Sequence, residues 1–149
     1  MRGIAATLSP AVLVLAVMTS PAQAQDASPA AAQAACNSGP YIVFFDWNGS
    51  DVSPEAATIL DSAIAAYGTC NHAAITLAGH ADRSGSDAYN MELSGQRNDS
   101  IKAYLVSHGI SGAAIASHAL GESMPRVATA DGVREAQNRR VEITYGSGG

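Results

Sequence analysis

Hydrophobic positions along the chain form four strand-like runs. Residues 41–46, "YIVFFD", are a continuous apolar and aromatic run, which predicts a first strand that is covered on both faces or lies at the centre of a sheet. Residues 73–78, "AAITLA", predict a second strand that ends at Gly79, and residues 115–120 predict a weaker third strand. In residues 139–145, "RRVEITY", apolar and polar positions alternate, so the fourth predicted strand has one face less buried than the other.

Two segments between these runs carry the apolar spacing of helices. The first helix is predicted to begin at an N-cap, Ser53, with Pro54 in its first turn, and to end at Gly68. The second is predicted to begin near residue 86 or 87 and to end at Gly109, with one buried face. A loop and one short helix are expected in residues 128–138, before the last strand.

The predicted order is therefore β-α-β-α-β-(α)-β. Two substantial helices and four strands bury their apolar faces most economically in two layers. We expect an α+β fold, a two-layer sandwich in which the helices pack on one face of a mixed four-stranded sheet.

The first residues of the 149-residue chain have the pattern of an export signal. Arg2 precedes an apolar run at residues 11–18, and "AQA" ending at Ala24 fits a small-residue cleavage site. We expect a signal peptide at residues 1–24, a flexible leader at 25–40, one domain at 41–145 and a flexible tail at 146–149. The expected location is the periplasm, either free or associated with the outer membrane.

Charge limits the partners that the exported domain can have. The chain has eight Lys and Arg, one of them Arg2 in the signal peptide, against 13 Asp and Glu, and its net charge is −5. Binding to nucleic acid or to an anionic membrane by bulk attraction needs basic clusters, so both are disfavoured. An anionic ligand would have to be recognised locally.

The two cysteines, Cys36 and Cys70, favour a disulfide because the chain is exported. Cys36 precedes the first predicted strand and Cys70 follows the first predicted helix. A helix that returns along its strand ends near the start of that strand, so the two cysteines should be neighbours. The alternative is that Cys36 carries a lipid.

Charged and polar residues gather where the second strand passes into the second helix. Asp82 lies in the connecting loop, while Asn90, Leu93 and Arg97 share one face near the helix start. Asp46 ends the first strand, and strand ends beside a helix start commonly form a ligand crevice. A carboxylate and a guanidinium there match an amino acid zwitterion, unless Asp82 and Arg97 simply pair with each other.

These residues carry a resemblance to a known family. "GHADRSGSDAYNMELSGQR" at residues 79–97, with "FFDWN" before it and "NRRVEI" after it, closely resembles the OmpA-like peptidoglycan-binding domain, also seen in Pal lipoproteins and the MotB stator protein. The resemblance covers residues 41–145. It implies non-covalent binding of peptidoglycan through the diaminopimelate of its peptide stem, with no cofactor and no catalysis. An outer-membrane protein is left open as a second partner.

The resemblance also implies a role for each site residue. Asp82 matches the residue that holds the ammonium group, and Arg97 matches the one that holds the carboxylate. The positions that line the rest of the pocket correspond to Asp46, Ser84, Asn90, Leu93 and Arg140. We expect Asp82→Ala and Arg97→Ala each to abolish most wall binding and to leave the fold intact.

Three residues depart from the family pattern: Ala81, Trp47 and Asn98. Trp47 replaces a smaller residue, and its indole is either a lid over the core or an apolar wall for the methylene chain of the ligand. The family often carries a barrel or a lipid anchor, and neither is evident in this sequence.

Other functions fit the sequence less well than wall binding. His80 and Asp82, with His72 nearby, could reach one metal ion, but a third ligand at a recognisable spacing is missing. The sequence has no nucleophile elbow and no phosphate-binding glycine loop, so an enzyme is disfavoured. The remaining alternative is a periplasmic protein-interaction module that uses the same fold without binding the wall.

Overall fold

The computed structural model describes residue 10 and residues 35–146. The predicted signal peptide, most of the predicted leader and the last three residues of the predicted tail lie outside the described residues. The elements in chain order are β1 (Tyr41–Phe44), α1 (Pro54–Thr69), β2 (Ile75–Gly79), α2 (Asp87–Ser107), a 3₁₀ turn (Gly112–Ala114), β3 (Ile115–Ala119), a second 3₁₀ turn (Ala136–Asn138) and β4 (Arg140–Tyr145).

The four strands form one mixed sheet with the order β1-β4-β2-β3. Strands β2 and β3 are parallel, whereas β4 pairs antiparallel with both β1 and β2. The expectation that the first strand is covered on both faces or central is wrong, because β1 lies at an edge and Phe44 is 41% exposed. The last strand enters between β1 and β2 and takes the central position instead.

Both helices pack on the same face of this sheet, which confirms the predicted two-layer α+β fold. Alternate residues of each strand point to that face, and the helices present small and branched apolar residues to them. The core between the layers contains Val43, Leu60, Ala63, Ile75, Leu77, Ile101, Leu105, Val141 and Ile143, all fully buried. No helix in the described part of the chain has the length and apolarity to cross a membrane.

Local signals at the helix starts behave as the sequence predicts. The Ser53 hydroxyl accepts a hydrogen bond from the Ala56 amide at 3.1 Å, and the Ser86 hydroxyl accepts one from the Tyr89 amide at 3.2 Å. Each bond satisfies an amide that the helix itself leaves free. The first helix continues one residue past Gly68, to Thr69.

The predicted disulfide between Cys36 and Cys70 is confirmed, with an S–S distance of 2.01 Å and Cα atoms 4.7 Å apart. The bond joins the segment before β1 to the end of α1. The Ser38 carbonyl also accepts a hydrogen bond from the Tyr145 amide at 2.9 Å. Residues 36–40, assigned from the sequence to the leader, are thereby attached to the sheet.

Gly79 brings the end of β2 against α2. A Cβ atom at this position would lie 2.3 Å from the Ser94 carbonyl oxygen, so only glycine permits the approach. The Asn98 side chain continues the attachment by donating to the His118 carbonyl on β3 at 3.0 Å. The loop that connects β2 to α2 therefore starts from a tightly fixed point.

Candidate functional site

Three segments meet at one end of the sheet: the β2–α2 loop, the turn after β1 and the segment that leads into β4. Asp82 from the first segment contacts Glu135 and Arg139 from the third. Arg97, on α2, contacts the backbone of Asp46 in the turn after β1. Residues far apart in the sequence thus form one charged cluster.

Asp82 is 3% exposed and each of its carboxylate oxygens accepts two hydrogen bonds. Oδ1 accepts the amide and the hydroxyl of Ser84, at 3.1 and 2.5 Å, and Oδ2 accepts the Glu135 amide at 3.2 Å and Nη1 of Arg139 at 3.4 Å. Burial alone raises the pKa of Asp82, but the bonds from Ser84, Glu135 and Arg139 outweigh it and hold that pKa below its ordinary value. The carboxylate is therefore ionised at neutral pH.

Arg97 is fully buried, and its three nitrogens donate to three backbone carbonyls. Nε donates to Gly49 at 2.8 Å, Nη1 to His80 at 2.9 Å and Nη2 to Asp46 at 3.0 Å. The guanidinium carbon also lies 5.3 Å from the centroid of the Phe45 ring. Because a guanidinium has five N–H groups, these three bonds leave one N–H on Nη1 and one on Nη2.

The pairing alternative raised by the sequence does not occur, since Asp82 pairs with Arg139 and not with Arg97. Burial, and secondarily the charge of Arg139, lower the pKa of Arg97 to about 10, while the charge of Asp82 acts in the opposite direction. The cluster of Asp82, Arg97 and Arg139 therefore holds two guanidinium groups and one carboxylate. A buried cluster with excess positive charge favours an added anion.

The other predicted pocket residues surround this cluster unevenly. Ser84 contacts Asp82 directly, whereas Asp46 offers its carbonyl to Arg97 and leaves its carboxylate exposed. Asn90 is buried on α2 and donates to the Glu122 carboxylate at 2.6 Å.

Leu93, also on α2, is 7% exposed.

Arg140 lies apart from the cluster that contains Asp82. Its Nε donates to Glu142 at 2.8 Å, and its Nη2 donates to the Met124 carbonyl at 3.3 Å. Successive residues at a strand point to opposite faces, so Arg139 points to Asp82 and Arg140 away from it. The sequence analysis missed Arg139, and only the exact register of β4 distinguishes the two arginines.

Trp47 and Arg134 form the rim of the cluster, and sequence reasoning did not identify Arg134. The indole is 48% exposed and donates from Nε1 to the Ser84 hydroxyl at 3.0 Å. The Arg134 guanidinium carbon lies 3.5 Å from the centroid of the indole. Trp47 therefore stands beside the ligand-binding candidates and does not cover the core.

His80 is buried next to Arg140 and Glu142, and neither of its ring nitrogens has a hydrogen-bond partner. Its Nε2 is 3.9 Å from the Glu142 carboxylate. Burial lowers the pKa of His80, and so does the charge of Arg140, while Glu142 acts in the opposite direction. Within residues 35–146, no three or more His, Cys, Asp or Glu side chains are grouped to hold a metal ion.

A groove of about 600 Å³ adjoins the cluster, and its lining includes Arg139 of the cluster and Asp46, whose carbonyl Arg97 contacts. Its walls include the apolar side chains of Phe44 and Ile59 and the guanidinium of Arg126. An extended ligand bound at Asp82 could continue into this groove.

Comparison with known proteins identifies a family model, described as the OmpA family, that matches residues 44–139. The chain is 40% identical over 109 residues to an outer membrane protein of Gluconacetobacter diazotrophicus, a match that covers 69% of this chain and 29% of that protein. It is 35% identical over 101 residues to the peptidoglycan-binding protein ArfA of Mycobacterium bovis, covering 68% of this chain and 31% of ArfA. The chain thus spans about a third of the length of these two curated relatives.

Among solved structures, the fold matches the peptidoglycan-associated lipoprotein of Burkholderia pseudomallei with a TM-score of 0.64 and 25% identity. The match covers 70% of this chain and 89% of that protein. The cell wall anchor of the type VI secretion system of Pseudomonas aeruginosa matches with a TM-score of 0.56 and 24% identity, over 68% of this chain and 73% of that one. The second likeness concerns the fold alone.

Proposed function

The chain belongs to the OmpA family, and from this we propose that it binds cell-wall peptidoglycan non-covalently through the diaminopimelate of the peptide stem. The free end of diaminopimelate is a zwitterion, with one ammonium and one carboxylate group on the same carbon. The proposed binding involves recognition only, with no bond made or broken in the ligand.

The observation that supports this proposal most directly is that Asp82 and Arg97 lie in one cluster without neutralising each other. Each is fixed by its own contacts. Asp82 accepts hydrogen bonds from Ser84 and Glu135. Arg97 donates to three backbone carbonyls. The ligand carboxylate would accept hydrogen bonds from the two remaining N–H groups of Arg97. Its negative charge would also reduce the repulsion between Arg97 and Arg139.

The ligand ammonium would take the place of Arg139 on Asp82. The Arg139–Asp82 distance of 3.4 Å is longer than the 2.7–2.9 Å typical of a charge-assisted hydrogen bond, so this contact is the weakest of the four on the carboxylate. Arg139 is also anchored by Nε to the Phe45 carbonyl at 3.0 Å. It can therefore release Asp82 without leaving the site.

The names of the relatives support the same conclusion. ArfA is named as a peptidoglycan-binding protein and the Burkholderia neighbour as a peptidoglycan-associated lipoprotein. Other relatives are outer-membrane proteins, which agrees with the expected envelope location of this chain.

The proposal is tested by co-sedimentation of the protein with purified sacculi in the presence of small competitors. meso-Diaminopimelate should displace the protein, because it offers both charged groups of the zwitterion. Pimelate keeps only the carboxylates and 1,5-diaminopentane keeps only the amines, so neither should displace it at the same concentration. Displacement by all three compounds, or by none, would contradict recognition of a zwitterion, and failure to sediment would favour the protein-interaction alternative.

A variant series tests the residues. Asp82→Asn should weaken sacculus binding about tenfold to a hundredfold, since a hydrogen bond to a charged group contributes about 1.5–3 kcal/mol. Asp99→Asn, which removes an exposed carboxylate from α2, is the matched control and should bind as the wild type does. Thermal melting of both variants separates lost binding from lost folding. Equal binding by the two folded variants would exclude Asp82 from the site.

A further inference from the structure

Arg134 is connected to the proposed ammonium receptor through a series of direct contacts. Its guanidinium lies 3.5 Å from the centroid of the Trp47 ring. The indole donates to the Ser84 hydroxyl at 3.0 Å, and that hydroxyl donates to Asp82 at 2.5 Å. The neighbouring Glu135 amide donates to the other oxygen of Asp82 at 3.2 Å. Arg134 is thus held at the mouth of the site from two directions.

No carboxylate neutralises Arg134 within the described residues. The arginines that form ion pairs there are Arg83, Arg139 and Arg140, whereas Arg134 is exposed and takes part in none. This is notable in a chain with a net charge of −5, where carboxylates outnumber basic groups. A guanidinium that lies flat on an aromatic ring keeps its N–H groups free at its edge, where they can take a carboxylate in two parallel bonds.

We infer that Arg134 is a receptor for a second carboxylate, one that belongs to the peptide around the bound diaminopimelate. The preferred ligand is then a carboxylate-bearing peptide stem and not an isolated zwitterion. Two groups have this chemistry: the α-carboxylate of a γ-linked glutamate that precedes the diaminopimelate, and the carboxylate at the C-terminal end of the peptide. This inference rests on the proposed function, since the zwitterion places the peptide beside Arg134.

Isothermal titration calorimetry with four forms of one tripeptide, L-Ala-γ-D-Glu-meso-diaminopimelate, tests the inference. The forms are the free acid, the glutamate α-amide, the C-terminal amide and the double amide, and all keep the zwitterion intact. Wild type should bind the free acid about threefold to tenfold more tightly than the double amide, as expected for one partly exposed charged contact. The single amide that loses this advantage identifies which carboxylate Arg134 binds.

Arg134→Gln should reduce the affinity for the free acid to that for the double amide and leave the double amide unaffected. Lys102→Gln is the control, because it also removes one positive charge, from the later part of α2, and Lys102 lines neither the groove nor the cluster. It should bind all four peptides as the wild type does. Melting temperatures establish that both variants are folded.

Three outcomes would overturn the inference. The first is that Arg134→Gln binds the free acid as tightly as the wild type does, and the second is that its affinity for all four peptides falls by the same factor. The third is that the control variant loses the same discrimination, which would indicate a general charge effect. In each of these cases, binding of the double amide by the wild type would still support the proposed function. Failure of the wild type to bind any of the four peptides would contradict both proposals.

Discussion

Replacing Arg97 with methionine removes the guanidinium and keeps a side chain of comparable length, so it measures what the buried charge contributes to stability. The bond to the His80 carbonyl is buried, and leaving that oxygen without a donor costs about 1–3 kcal/mol. The Gly49 and Asp46 carbonyls lie in a turn that water can reach, so losing each of these two bonds lowers the free energy of unfolding by about 0.5–1.5 kcal/mol. Removing a buried positive charge offsets part of this loss.

The expected net effect of Arg97→Met is a loss of about 2–4 kcal/mol, out of the 5–15 kcal/mol typical of a domain. Urea denaturation at pH 7, followed by far-ultraviolet circular dichroism, measures the free energy of unfolding directly. The melting temperature should fall by about 10 °C or more. Arg97→Lys keeps a positive charge but has a single nitrogen, so it should lie between methionine and wild type.

Unchanged stability in Arg97→Met would refute this reasoning, because it would mean that the three carbonyl bonds contribute no net free energy. Arg126→Met removes an exposed guanidinium from the same end of the molecule and should leave the unfolding free energy within about 0.5 kcal/mol of wild type. The structural role of Arg97 also changes an expectation from the sequence. Arg97→Ala should lose stability as well as binding, so its loss of binding alone cannot be assigned to ligand recognition.

Further predictions concern the disulfide, a buried histidine and two glycines. Replacing Cys36 and Cys70 together with serine should lower the free energy of unfolding by about 4 kcal/mol in the chain-entropy model, and unchanged urea midpoints would contradict this. The folded-state pKa of His80 is lowered, so the unfolded chain binds the extra proton first and stability should fall as pH drops below about 6.5. His80→Leu should lose less stability between pH 7 and pH 5 than wild type, and parallel profiles would be the contrary result. Gly79→Ala should destabilise the domain by more than about 2 kcal/mol, because its Cβ would lie 2.3 Å from a carbonyl oxygen of α2. Gly68→Ala places its Cβ in open space on α1 and should stabilise the domain by about 0.5–1 kcal/mol. Melting curves that reverse this order would count against the close approach at Gly79.

The element order and the helix starts could be predicted because their signals are local. Ser53 caps α1 through an amide three residues away, and Ser86 caps α2 in the same way. The disulfide was also within reach, since a strand followed by a returning helix brings Cys36 and Cys70 together. Each of these inferences depends on neighbours in the sequence or on one step of chain direction.

The position of the first strand in the sheet could not be predicted, because it depends on residues remote in the sequence. The run at residues 41–46 is apolar throughout, which is typical of a covered strand, yet β1 lies at the edge of the sheet with Phe44 exposed. The order of strands depends on where β4 inserts after about a hundred residues of chain. An apolar run does not contain that information.

By itself, the sequence determined the fold class and that Asp82 and Arg97 lie near one end of the sheet, because periodicity and spacing set both. Only the tertiary structure decided which groups contact these charges: Arg139 for Asp82, and backbone carbonyls for Arg97. It also decided that Arg134 lies on Trp47. Hydrogen bonds and ion pairs are effective only over a few ångströms, so a partner remote in sequence is selected by the three-dimensional register of strands and loops.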